Sequence, residues 1–422
     1  FKLKKLPTIA IIAILGILFT LFTGLLTSFK YLQHWAPCYD FGIFSQMFNY
    51  MKETLQPLTT CERDGLLSHF AVHFSPIYYL LLPFFFIFPS PVTLLMGQAA
   101  IIASGLIPLY LICKRHKLSN AAVILFSLCY VLLPSMANGC FFFLHENKFL
   151  TPLILWLAFA LEKNKWIPSV IFTLLLLAVK EDAPVYAAVL GLYFIVSRRN
   201  ISKGALVFVL SIIYFITVSY FMSKYGLGTM SYRYDNFIYD GSGSLFTVIK
   251  AVILNPIYTV HEAFDEEKIK FILQMLVPLA FMPLMIKKPS RIILLIPFIL
   301  LNLMSDYTYQ HNINFQYTYG SAAFLFYLMI LNYQDMKPGF RCKVLAVAAT
   351  SSIFMFMCNT YYRTSGYESY KTDKNSGAID IIDDALELVP DDSSVAATTF
   401  LVASLYDHRE VYEFESTNHR DE

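Results

Sequence analysis

The sequence predicts an all-α polytopic membrane protein of about eleven transmembrane helices, N-terminus inside and C-terminus outside, followed by the beginning of a small extracytoplasmic α/β domain. Three observations predict it. Of 422 residues, 57% are hydrophobic and only 15% charged, with a mean hydropathy of +0.55, far from the balance of a soluble domain. Apolar runs approaching the roughly 20 residues that a helix needs to cross hydrocarbon recur from end to end. They are too long and unbroken for the strands of a closed barrel, the other way to pair every backbone group within lipid. Basic residues, finally, gather in short segments between alternate runs.

The runs lie near 6–29, 92–113, 118–139, 149–161, 166–179, 183–197, 204–222, 269–286, 290–304, 318–332 and 343–360. Alternate connections hold Lys2, Lys4, Lys5; Lys114, Arg115, Lys117; Lys163, Lys165; Arg198, Arg199, Lys203; Lys287, Lys288, Arg291; and Lys337, Arg341, Lys343. Seventeen of the 32 Lys and Arg therefore share these connections with just Glu162 and Asp335 among 30 acidic residues. Short basic loops resist translocation, which places them in the cytoplasm. The stretch 75–88 is apolar too, but Pro89 and Pro91 close it and no basic residue follows. Counting it as a span would invert every loop from Lys114 onward, so it reads as an interfacial or re-entrant helix.

A membrane domain over 1–360 then presents outer loops at 30–75, 140–148, 223–268 and 305–317, with a short one at 180–182. Residues 361–422 form the outer α/β domain, with an amphipathic helix at 378–388 and strands at 395–398 and 410–414. Phe1 in place of Met and the abrupt end at Glu422 are what a trimmed chain would show. The first span is too long for a cleavable signal and lacks a cleavage site.

The outer loops carry the chemically varied residues. In Tyr39-Asp40-Phe41-Gly42-Ile43-Phe44-Ser45-Gln46, Asp40 opens a helix whose apolar stripe is Phe44, Met47, Phe48 and Met51. Ser45, Gln46, Asn49, Lys52 and Glu53 face away, the pattern of a helix lying on the membrane surface. Asp40 suits an N-cap and equally a carboxylate at the mouth of a cavity, serving as general base. His69 and His73 stand four apart before Pro76; two interfacial histidines describe them better than two metal ligands. His145-Glu146-Asn147-Lys148 fills the second loop. Lys180-Glu181-Asp182 ends an apolar span, a depth at which charges tend to line cavities. Arg233 sits among Tyr232, Tyr234 and Tyr239 ahead of Gly241-Ser242-Gly243-Ser244. Asp306, His311 and Gln316 sit among Tyr307, Tyr309 and Tyr317; such tyrosines form a membrane belt by default and line a sugar or phosphate site as the second reading. Cys38 and Cys61 share one outer loop and could pair. No Walker loop, dinucleotide fingerprint or nucleophile elbow occurs.

Together these motifs resemble a family of predicted bacterial and archaeal membrane proteins, a domain of unknown function within the GT-C superfamily of membrane glycosyltransferases. The likeness rests on 39–46, on His73 with Pro76 before Leu82-Pro83, on Gln98, on Lys180-Glu181-Asp182, and on Val389-Pro390-Asp391-Asp392-Ser393-Ser394-Val395. It extends over nearly the whole chain.

The resemblance implies a GT-C-like fold with Asp40 as the acidic residue of the first outer loop and Glu146 as the counterpart in the second. It implies transfer of a sugar from a polyprenyl-phosphate donor to an extracytoplasmic acceptor, which needs no nucleotide site. Lys180, Arg233, His73 and His311 would then meet the donor phosphate, with Glu181, Asp182 and Gln316 in support. Some superfamily members hold a divalent metal through an Asp-x-Asp pair in the second loop. Here His145-Glu146-Asn147 stands in its place, so no cofactor is assigned. Expected partners are the lipid-linked sugar and membrane lipid, with no nucleic acid. Two rivals remain: a transporter, which predicts repeated halves and polar groups at mid-depth, and a non-catalytic scaffold presenting the tail.

Overall fold

The computed structural model describes residues 7–36, 39–63, 65–228, 231–238, 245–390 and 392–414. Helix α1 (Thr8–Leu32) is apolar throughout and leaves much of its surface open, as a lipid-facing helix does. After α2 (Tyr39–Thr54), the antiparallel hairpin β1 (Leu58–Thr59) and β2 (Leu67–Ser68) carries the first loop onward. The stretch 75–88 folds as a 3-10 turn (Pro76–Leu80) and the short α3 (Leu82–Ile87), neither of crossing length.

Helices α4 (Pro91–Ser104) and α5 (Leu106–Arg115) run on as one 25-residue segment, and α6 (Asn120–Leu132) bends 47° at Pro134 into α7 (Pro134–Asn138). Next come α8 (Leu150–Glu162), α9 (Trp166–Leu177), α10 (Ala183–Val196) and the long α11 (Ile201–Tyr225). Helices α10 and α11 cross where Gly191 faces Gly204. A Cβ on either would lie 2.7 Å from the other's carbonyl oxygen, so only glycine permits this approach. Beyond them lie α12 (Leu245–Leu254), α13 (Pro256–Ala263) and α14 (Glu266–Leu276), then α15 (Tyr319–Asp335) and α16 (Pro338–Asn359). Every residue of α15 from Tyr319 to Tyr333 is buried, which makes it the central post of the bundle.

Among the described residues, four helices are long and apolar enough to cross a membrane, namely α1, α4 with α5, α11 and α16, or five if the bent α6–α7 pair counts as one. The protein is thus a mostly helical membrane protein, with two very small sheets among the described residues.

Two predicted spans depart from regular helix. In 269–286, α14 ends at Leu276 and gives way to 3-10 turns around Pro278 and Pro283, with Ala280 and Phe281 at φ 48° and 54°. In 290–304, a 3-10 segment meets a π-helical turn after Pro297. Proline removes a donor and clashes with the preceding turn, and apolar periodicity alone does not register that. Side chains from the neighbouring helices satisfy the freed carbonyls. Ser351 donates to Val277 O and Ser352 to Pro278 O, both at 2.7 Å, and Asn332 Nδ2 reaches Met282 O and Pro283 O at 3.0 and 2.9 Å.

The tail begins with α17 (Ser365–Asn375) and α18 (Ala378–Glu387) and ends in a parallel pair, β3 (Ser394–Ala397) and β4 (Glu410–Glu413). Its core is shared. Ile43 and Cys61 of the first loop pack with Val402, Leu405 and Val411 of the tail. This corrects the expectation that α2 lies on the membrane with its polar face in water. Ser45 and Gln46 are fully buried, and Gln46 Oε1 accepts from Thr59 Oγ1 and Thr60 N at 2.8 Å while its amide reaches Arg409 O at 3.3 Å. The helix lies between the bundle and the tail. Cys38, Tyr239 and Gly241-Ser242-Gly243-Ser244 fall outside the described residues, so the pairing of Cys38 with Cys61 has no structural account.

Candidate functional site

Four segments meet at the end of the bundle that carries the tail. The first turn of α2 supplies Asp40, and the 3-10 turn after β2 leads to His73. The loop after α7 supplies His145 and Glu146, and the turn between α9 and α10 supplies Lys180, Glu181 and Asp182. The loop after α7 is bent by Phe143, whose φ of 57° is costly for a residue with a side chain, about 1–3 kcal/mol. Stacking on Phe41 at 5.0 Å and the Lys148 ammonium on Phe143 O at 2.7 Å hold it. That reversal points His145 at Asp40 and Glu146 at Lys180.

Glu146 is the hub. Its Oε1 accepts from Lys180 Nζ at 2.6 Å, and its Oε2 accepts from the Tyr78 hydroxyl at 2.6 Å. The Tyr78 oxygen in turn accepts from Glu146 N at 3.0 Å. Burial opposes the charge on Glu146, but Lys180, His145 and His73 outweigh it and hold the carboxyl well below its ordinary range. Burial likewise opposes the Lys180 charge, and Glu146 with Glu181 reverses that, raising the ammonium's pKa. The pair is ionised and enclosed, with 3% and 1% of the side chains exposed.

Asp40 is the open member, with 40% of its side chain exposed and Oδ2 3.2 Å from His145 Nε2. Enclosure of the site works against its charge, and His145, His73 and Lys180 more than offset this, so its pKa lies below the usual value. Burial lowers the His145 pKa, and Lys148 adds to the effect, while the contact with Asp40 opposes both. Glu181 accepts from His73 Nδ1 at 2.8 Å and from Phe74 N at 3.2 Å. Burial disfavours its charge, yet His73 and Lys180 lower its pKa. Asp182 shows the opposite balance: burial dominates, Glu181 adds to it, and the carboxyl is raised, with Oδ1 enclosed and making no hydrogen bond among the described residues.

The remaining expected residues divide. Arg233 lies over the rings of Tyr307 and Tyr317 at 5.0 and 5.1 Å, with Nη2 3.5 Å from the Tyr317 hydroxyl. It belongs to the rim of the cluster, through Tyr317 and the field of Asp182. Gln316 is buried, and among the described residues its Oε1 has no hydrogen-bond partner. His311 stands apart, its Nε2 3.7 Å from Glu267 on α14. Three participants have no motif of their own. Tyr78 sits inside an apolar run, Glu62 pairs with His69 at 2.8 Å, and Tyr317 looks like one more belt tyrosine. Periodicity gives no signal for them.

These residues do not fit a divalent ion. Glu146 is committed to Lys180 and Tyr78, and among the described residues no group of three or more His, Cys, Asp or Glu is arranged to hold a metal. The fold and the cluster define the class: a helical membrane protein with an ionised, largely buried constellation at the tail-bearing end. The chain belongs to DUF2079, a family of predicted membrane proteins whose model matches residues 34–422. No curated protein matches the chain.

Proposed function

We propose that the protein is a membrane glycosyltransferase of GT-C type, moving a sugar from a polyprenyl-phosphate donor to an acceptor on the extracytoplasmic face of the cell membrane. The bundle would cross eleven times with the N-terminus inside. One observation carries the reading. Asp40, ionised and open, terminates a chain of buried charged groups drawn from four segments far apart in sequence. A cap or a loop requires none of these to meet; proton abstraction beside a leaving phosphate requires all of them.

In this reading the acceptor hydroxyl oxygen attacks the anomeric carbon and its proton passes to Asp40. The bond from that carbon to the phosphate oxygen breaks, and the electron pair leaves with the phosphate. His73, 15% exposed and anchored by Glu181, donates to that phosphate when protonated, and Arg233 faces it from the rim. Lys180 gives its hydrogen bond to Glu146 and therefore acts through the field it casts on Asp40. His311 drops out of the site.

The test is transfer from a panel of radiolabelled polyprenyl-phosphate sugars by the purified protein in lipid. Asp40→Asn is expected to keep the melting temperature and abolish transfer. Undiminished transfer would reject Asp40 as the base, and no transfer by the unaltered protein from any donor would reject the enzyme.

A further inference from the structure

A second polar hollow lies at the tail-bearing end, away from the cluster. It is a cavity of about 320 Å³ between the last turn of α1, the corner that follows α16 and the first turns of α17. Its walls include Lys30, Gln33, Trp35, Tyr362, Arg363 and Ser369. Two cations line it, and among the described residues no carboxylate pairs with either. Both side chains are partly buried, so neither is relieved by full hydration.

The carboxylates of α17 do not cancel this charge. Asp373 accepts from Gln33 Nε2 at 2.6 Å, an amide that also donates to Ser369 Oγ at 2.9 Å, and Glu368 is exposed. The Arg363 guanidinium is held in place by the rings of Tyr362 and Phe141, at 5.2 and 5.3 Å. A guanidinium oriented by two rings and an ammonium that lines the same hollow present the N–H donors and the positive charge that suit the oxygens of a phosphate group. Trp35, 59% exposed, and Tyr362 stand at the opening like residues of a membrane interface.

We propose that this cavity binds a phosphate group, either the phosphodiester of an anionic lipid headgroup or free phosphate, through Lys30 and Arg363. The site is independent of the transferase reading. Because its walls join α1 to α17, occupancy ties the tail to the bundle.

Trp35 reports on it. With Trp156→Phe and Trp166→Phe, Trp35 alone emits, and the full-length protein is placed in lipid nanodiscs. Brominated phosphatidylglycerol is expected to reach half-quenching at a mole fraction about fivefold lower than brominated phosphatidylcholine, the factor that one basic residue near a membrane surface contributes. Lys30→Gln with Arg363→Gln should erase this preference, while the charge-keeping exchange Lys30→Arg with Arg363→Lys retains it. Free phosphate as the ligand would instead appear as a change in Trp35 emission on adding inorganic phosphate to phosphatidylcholine discs, lost in the same double Gln variant. The proposal is overturned if neither response occurs, or if the response survives neutralisation of both cations in a protein that melts normally.

Discussion

Removing one partner from an enclosed ion pair strands the other, and this governs what single substitutions at the cluster should do. Glu146→Gln leaves the Lys180 ammonium without its carboxylate in a site 3% exposed, a loss of about 3–5 kcal/mol. Glu146→Leu combined with Lys180→Met removes both charges and should recover most of that loss. Thermal melting of the three proteins in one detergent checks it; a double variant no more stable than the single would mean that the pair itself holds the fold. The His69–Glu62 pair has a different signature. Burial lowers the His69 pKa but Glu62 raises it further, so the net shift is upward. A group raised on folding stabilises fully below its unfolded pKa, near 6.5, and loses that contribution as pH climbs through the folded value. The melting difference between the unaltered protein and Glu62→Gln should therefore be largest in mild acid and shrink toward alkaline pH. Acidic motifs were legible as motifs because charges beside apolar spans are rare: Asp40, Glu146 and Lys180 stand out in the sequence. Tyr78 and Glu62 do not, since their partners lie across a turn or on another element, and a His311 among tyrosines looks no different from one in the site.

Among the elements, α2 shows how a correct helix can be given the wrong surroundings. Its apolar stripe was readable from spacing, and the helix runs Tyr39–Thr54 as that spacing requires. Its polar side looked solvated, because the sequence does not reveal that a segment some 350 residues later covers it. Gly42 marks the contact: a Cβ there would lie 2.5 Å from Val402 Cγ2. Gly42→Leu should push the tail off α2, at a cost of about 1–3 kcal/mol for overpacking. Limited trypsin digestion would read this as faster cutting after Lys374 and Arg409; an unchanged digestion pattern would show that the tail is held elsewhere. The segments 269–286 and 290–304 fail for a local reason. Their hydropathy is right for a span, and Pro278, Pro283 and Pro297 decide the backbone instead.

On the scale of the whole molecule, charge asymmetry predicts orientation more firmly than length predicts crossings. Among the described residues, only four or five segments qualify as spans on length and hydropathy, because helices such as α15 are short and shielded by neighbours. The basic connections nevertheless gather around two carboxylates, Arg115 and Arg199 at Glu162 and Lys288 and Arg291 at Asp335. In a background without native cysteines, Lys165→Cys, Lys288→Cys and Lys337→Cys should resist an impermeant thiol reagent in intact cells, and Leu388→Cys should react. Labelling of the first three would reverse the orientation and move the cluster to the cytoplasm.

The core shared by Ile43, Cys61, Val402, Leu405 and Val411 also orders events in time. The first loop leaves the ribosome before the bundle, while the residues that enclose Gln46 and Thr60 emerge after it. Helix α2 must therefore wait, with one flank bare, through the synthesis and insertion of the entire bundle. Loop closure over so many residues is slow compared with pairing between adjacent helices. The stretch beside Asp40 would thus mature only after the bundle, and a nascent chain halted near α16 would carry the bundle but no finished site.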